Sequence, residues 1–145
     1  MQRRHLLSTL AALGLFGFAP AARADLAPGP PPPRLSVRAE PATFRGTPTS
    51  VMLVVRNPTA EPVEVQGVRL LTTDSGIRFP LRITRLEVDG RPSGVYDRIA
   101  LAANAERRLT ITFDQLPASA LRSRNLAFVI RFGGAAESTF TLRRT

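Results

Sequence analysis

The chain has 145 residues, no cysteine and a formal net charge of +9, and all 20 of its basic residues are arginine. Its one histidine, His5, lies near the N-terminus, so the rest of the chain has neither imidazole nor thiol. This composition excludes disulfides, Ser-His-Asp and Cys-His nucleophiles, and the zinc, blue-copper and non-haem iron sites that depend on those ligands. We therefore expect no cofactor, no metal and no catalytic residue.

The first 24 residues have the anatomy of an export signal. After a basic start, residues 6–20 are apolar and uncharged. Ala22 and Ala24 form the small-x-small pattern that signal peptidase accepts, which predicts cleavage just before Asp25. We expect a mature protein in the periplasm or outside the cell, with signal peptidase and a translocase as its partners during export.

The basic start indicates a particular export route. Arg3 and Arg4, followed after one residue by Leu6 and Leu7, resemble the bacterial twin-arginine motif. A general secretory signal that begins with two arginines is the alternative, because both routes use the same signal anatomy. The apolar segment is shorter than the roughly 20 residues that a membrane span needs, so we do not expect a retained anchor.

Residues 25–34 (DLAPGPPPPR) are predicted to be a proline-rich linker, because consecutive prolines impose an extended conformation. Without the signal, 17 arginines and 11 acidic residues leave a charge of +6. This excess reflects either codon bias with ordinary solubility charge, or an anionic partner such as a glycan, a lipid headgroup or an acidic protein face. We do not expect nucleic acid as a partner, because the protein is exported and Tyr96 is its only Tyr or Trp.

Residues 35–145 are predicted to form one β-rich domain, because apolar residues recur there with a period of two. Gly67 interrupts one alternating run and predicts a β-bulge, while Gly133 and Gly134 predict a hairpin turn. Strands are predicted at Leu35–Val37, Ser50–Arg56, Val63–Leu70, Ile77–Val88, Val95–Leu101, Arg108–Phe113, Leu126–Phe132 and Thr139–Arg143, with one helical turn within Leu116–Arg122. About seven to nine short strands with frequent turns are typical of an all-β, antiparallel immunoglobulin-like sandwich.

Two segments carry a family resemblance. Ser50–Pro58 and the following Thr59–Val65 resemble the strand–turn–strand unit of bacterial exported immunoglobulin-like domains. Ile99–Phe113 resembles a later element of telokin-like extracellular domains, although Ala102–Ala105 stands where that family has Pro-Gly. Pilus-chaperone sandwiches are a second resemblance. The likeness covers residues 35–143, implies a sandwich fold and provides no catalytic residue to transfer.

Arg78 and Arg82 are the candidate anion-binding residues. They lie four apart on one predicted strand face, where two guanidinium groups can hold a carboxylate or sulfate in bidentate fashion. We favour pairing with acidic side chains of neighbouring strands, and anion binding by a recessed arginine pair is the sharper alternative. Pro80, between them, indicates an edge strand or a distortion.

Glu87 and Asp89 are the remaining candidates for acid–base chemistry, and Met52 is the remaining soft ligand. Glu87 and Asp89 are two apart, so on a strand they would share a face, as paired glycosidase carboxylates require. We favour two solvated residues instead, and we expect Met52 to fill the core. The sequence thus predicts an exported, non-catalytic binding or assembly module, with an accessory subunit of an exported complex or a carboxylate hydrolase as alternatives. Its oligomeric state is left open.

Overall fold

The computed structural model describes residues 29–145. Within them, the segments whose apolar residues alternate with a period of two form β-strands. One compact unit spans Pro32–Thr145. The predicted signal, its cleavage site and Asp25 lie outside the described residues. The strands are β1 Ser36–Ala39, β2 Thr43–Phe44, β3 Ser50–Arg56, β4 Val63–Asp74, β5 Ile77–Val88, β6 Arg91–Ser93, β7 Arg98–Leu101, β8 Glu106–Asp114, β9 Asn125–Gly133 and β10 Ser138–Arg144. A single 3₁₀ turn, Ala120–Arg122, lies within the segment predicted to be helical. Within these residues no helix is long and apolar enough to cross a membrane.

The strands form one continuous sheet that folds over into two layers. The first layer has the order β1-β3-β8-β5, and the second has β5-β4-β9-β10-β2. Strand β5 belongs to both, because its first half pairs with β4 and its second half with β8. Every pairing is antiparallel except that of β10 with β2. The orders β1-β3-β8-β5 and β4-β9-β10 match the A-B-E-D and C-F-G sheets of immunoglobulin domains, so the predicted fold class is confirmed.

The core lies between the two layers and contains the apolar faces predicted from the sequence. Ile111 on β8 and Phe128 on β9 are fully buried, as are most of their same-face neighbours. The Phe128 ring stacks on Phe140 at a centroid distance of 5.0 Å and tilts against Phe113 at 5.9 Å. Aromatic pairs at such separations add to the stabilisation that apolar burial provides.

Three local expectations are corrected by the structure. There are ten strands rather than seven to nine, because β2 and β6 are too short to produce an alternating pattern. Strand β7 begins at Arg98 rather than Val95, because the preceding residues form a closed turn. Met52 does not fill the core, because β3 directs it outward and it is 40% exposed.

The bulge predicted at Gly67 is confirmed by a register shift between Gln66 and Val68.

Candidate binding surface

Arg78 and Arg82 each contact a different carboxylate. Arg78 donates two hydrogen bonds to Glu137, at 2.9 and 3.1 Å, and Arg82 donates to Asp114 at 2.6 and 3.1 Å. Their side chains are 43% and 67% exposed, so they do not form a recessed pair. An anion bound by both arginines would have to displace Glu137 and Asp114, and anion binding by this pair stays a prediction.

Glu87 and Asp89 do not form a carboxylate pair on one strand face. Strand β5 ends at Val88, and Asp89 adopts a left-handed turn conformation with φ of 51°. Glu87 pairs with Arg85 at 2.6 Å. The backbone N–H of Arg108, together with the Arg107 side chain, donates to Asp89 and holds the pKa of that carboxyl below its usual value. A glycosidase acid needs a raised pKa, so this environment favours the opposite ionisation state.

The outer face of the second layer carries a row of apolar side chains. Val129 on β9 points outward, yet it is only 3% exposed. Its cross-strand partner is the half-buried Leu71 on β4, and Leu71 pairs in turn with Pro80 on β5. The row continues to Thr139 on β10. The middle of this face therefore carries aliphatic side chains where a solvated sheet typically has polar ones.

An ion-paired bridge covers part of that row. Arg78 on β5 and Glu137, next to β10, lie on opposite sides of the face, so the bond between them crosses β4 and β9. Arg131 on β9 also donates to the Glu137 carboxylate, at 3.1 Å. The Arg78 and Arg131 guanidinium groups hold the pKa of Glu137 below its usual value. Glu137 thus accepts three hydrogen bonds from two arginines.

Beside the bridge, the sheet opens where β4 changes its neighbour. Strand β5 pairs with β4 only from Leu70 onward, and β7 pairs with it only as far as Gln66. Between these two pairings Val68 donates its N–H to the carbonyl of Val95, at 2.8 Å. The gap is a groove of about 430 Å³, which we call the Tyr96 groove. Its lining includes the aliphatic residues Leu71, Pro80 and Ile83, which we call its floor, and the polar residues Arg69, Tyr96 and Arg131, which we call its walls.

Tyr96 is presented by a closed turn. The N–H of Asp97 donates to the carbonyl of Gly94 at 3.1 Å, and the N–H of Gly94 donates back to the Asp97 carboxylate at 2.8 Å. The tyrosine side chain is nevertheless 73% exposed. Two further depressions share Tyr96 and extend as far as Gly133. An exposed aromatic on a fixed turn is preorganised, so little conformational entropy is lost when it is covered.

Arg69 and Arg131 are direct cross-strand partners on β4 and β9, and both are exposed. Like charges placed opposite each other are destabilising. Arg131 shares Glu137 with Arg78, whereas no ion pair within residues 29–145 involves Arg69. The groove wall therefore carries positive charge that the described part of the chain does not neutralise.

Sequence reasoning missed this surface, although each outward position was visible. Arg69 stands between Val68 and Leu70, and Arg131 stands between Ile130 and Phe132, so alternation places both arginines on the solvent side. Their adjacency depends on the β4–β9 register, which no local pattern specifies. Among residues 29–145, no three His, Cys, Asp or Glu side chains are grouped so as to hold a metal ion. The arrangement provides recognition groups: an aromatic ring, aliphatic floor and guanidinium donors.

Comparisons with known proteins give only distant likenesses. Neither a protein-family model nor a curated protein matches the chain. Among solved structures, the DNA glycosylase AlkC of Pseudomonas fluorescens, bound to DNA, has 9% identity and a TM-score of 0.41, covering 78% of this chain and 31% of its own. The periplasmic chaperone SfaE has 13% identity and a TM-score of 0.40, covering 76% of this chain and 55% of its own. A PapD-like domain of human CEP192 has 14% identity and a TM-score of 0.35, and the match covers 100% of this chain and 96% of that domain. The chain thus spans only part of the first two proteins, and its fold is assigned from its own strand order.

Proposed function

We propose that this protein is an exported, non-catalytic binding or assembly module that holds a protein partner in its Tyr96 groove. The observation that carries the proposal is the exposed Tyr96 on a closed turn, beside an aliphatic floor and two facing arginines. Tyrosine and arginine are, with tryptophan, the side chains enriched at interface hot spots, and the contacts around such residues exclude water.

The position of the groove supports a binding role. Two of its wall residues, Arg69 and Arg131, lie on the paired strands β4 and β9, and Tyr96 lies on a hydrogen-bonded turn rather than on a long loop. Sites built on regular strands hold their side chains more closely in place than sites on loops do. The absence of histidine and cysteine beyond His5 also favours recognition over chemistry.

Export is the second part of the proposal. We expect residues 1–24 to be removed between Ala24 and Asp25, and Arg3 with Arg4 to be read by the twin-arginine machinery. Intact-mass measurement of the exported protein should give a chain that starts at Asp25. Replacing both arginines by lysine should block export, because the twin-arginine receptor reads the guanidinium pair, whereas the general route needs only positive charge and would still export the variant. A full-length membrane-bound product, or unchanged export of the lysine variant, would contradict this part.

The binding role is tested by photo-crosslinking in the producing cell. A photoreactive amino acid replaces Tyr96, and a matched control replaces Thr84, an exposed residue of β5 in the first layer. We expect one discrete adduct of higher mass from position 96 and none from position 84. No adduct at position 96, or the same ladder of adducts from both positions, would contradict a binding role for the groove.

A further inference from the structure

We infer that the Tyr96 groove recognises an acidic protein segment in which carboxylates alternate with apolar side chains, an inference that rests on the proposed function. Three features of the groove point to this occupant: uncompensated arginine charge, an aliphatic floor and a recessed shape between β4 and the Tyr96 turn. Each feature selects for a different property of the partner.

The charge selects for carboxylates. Glu137 already accepts two hydrogen bonds from Arg78 and one from Arg131, so it has little capacity left for Arg69. Arg69 faces Arg131 directly and belongs to no ion pair within residues 29–145. A carboxylate between the two arginines would relieve their repulsion, and the planar guanidinium fork matches it in bidentate geometry.

The floor selects for a protein segment. Leu71, Pro80 and Ile83 provide aliphatic surface in the same groove as the arginines. Apolar side chains that alternate with carboxylates would remove this surface from water, which is the main favourable term in association. An acidic polysaccharide presents hydroxyls at these positions and leaves the floor hydrated. A membrane surface is flat and does not enter a groove of about 430 Å³.

The experiment measures binding of a fluorescent peptide of alternating glutamate and leucine by anisotropy, using the purified protein. The matched probe has glutamine in place of glutamate. Arg69→Gln and Tyr96→Ala are compared with Arg91→Gln, which removes one exposed arginine of β6 outside the groove. Arg69→Lys keeps the charge but removes the guanidinium fork. Unchanged thermal melts establish that each variant is folded.

We expect the acidic peptide to bind, and to bind more weakly as salt rises, because salt screens exposed charges. Its Kd should rise at least about tenfold for Arg69→Gln and Tyr96→Ala, as for hot-spot residues, and less than about twofold for Arg91→Gln. Arg69→Lys should weaken binding by an intermediate factor.

Three results would overturn the inference: equal binding of the glutamine peptide, equal losses for Arg69→Gln and Arg91→Gln, or binding of polygalacturonate or phosphatidylglycerol vesicles in place of the peptide. A crosslinked adduct from Tyr96 together with no peptide binding would overturn only the acidic-segment inference. Loss of that adduct would instead overturn the proposed function.

Discussion

Asn57 should be one of the most costly polar residues of the sandwich to replace. It is fully buried in the turn between β3 and β4. Its side-chain N–H groups donate to the carbonyls of Glu61, Leu101 and Ala102, at 2.8, 3.3 and 3.2 Å. Its oxygen accepts from the N–H and the hydroxyl of Thr59, at 3.1 and 2.7 Å. The amide therefore ties this turn to the β7–β8 loop.

The cost of Asn57→Ala follows from these bonds. The two donor hydrogens and the bond accepted from the Thr59 N–H are each worth about 1 kcal/mol net, and the Thr59 hydroxyl divides its single proton between Asn57 and the Glu61 carbonyl, so the free energy of unfolding should fall by about 3–4 kcal/mol. Asn57→Asp keeps the shape but turns a carboxylate toward three carbonyl oxygens. The pKa of the introduced carboxyl should be raised in the folded state, so the deficit relative to wild type should shrink as pH falls through that pKa and return as pH rises.

Urea unfolding followed by circular dichroism measures these differences, since the chain has no Trp and one Tyr for fluorescence. Asn125→Ala, at an exposed position on β9, is the matched control and should change stability by less than about 0.5 kcal/mol. The reasoning would be refuted if Asn57→Ala cost no more than Asn125→Ala, or if the deficit of Asn57→Asp did not vary with pH.

Three further changes have defined outcomes. Phe128→Ala should lower the free energy of unfolding by about 3–5 kcal/mol in urea melts, whereas Thr112→Ala, at a half-buried position on the outer side of β8, should lower it by less than about 1 kcal/mol. Equal costs would contradict the assignment of inward and outward faces on β8 and β9. Gly133→Ala should lower the free energy of unfolding by about 1–3 kcal/mol, because a Cβ there would lie 1.9 Å from the Gln66 carbonyl oxygen. The control Gly29→Ala has open space around it and should leave stability unchanged, and an equally neutral Gly133→Ala would contradict the close approach. The pKa of Asp89 is lowered in the folded protein, so its carboxylate stabilises the fold above the unfolded aspartate pKa of about 3.9, and this contribution is lost as pH falls. Asp89→Asn should therefore make the free energy of unfolding less dependent on pH on the acid side, and an unchanged pH dependence would contradict this.

The strands and the core could be predicted from the sequence because both depend on local alternation. The faces of β8 and β9, the Gly67 bulge and the edge position of Pro80 in the first half of β5 each have a signal within a few residues. Strands β2 and β6 could not be predicted, since two or three residues are too few for a period.

The binding surface could not be predicted, because it depends on register and on a missing strand neighbour. Arg69 and Arg131 are 62 positions apart, and only the β4–β9 pairing makes them neighbours. The sequence points to Arg78 and Arg82 instead, because their four-residue spacing is visible without a fold. It allows them acidic partners but does not identify Glu137 and Asp114, which only the strand pairing brings close. From the sequence alone, Tyr96 is only the single Tyr of a chain without Trp.

The most direct test of the binding surface is an amide NMR titration of the isotopically labelled protein with the glutamate–leucine peptide. We expect saturable chemical-shift changes that cluster on Arg69, Tyr96, Arg131 and Gly133, around the Tyr96 groove, while the outer side of β3 and β8 remains unchanged. Shifts spread evenly over the arginine-bearing positions of both layers, or shifts confined to the first layer, would contradict the account.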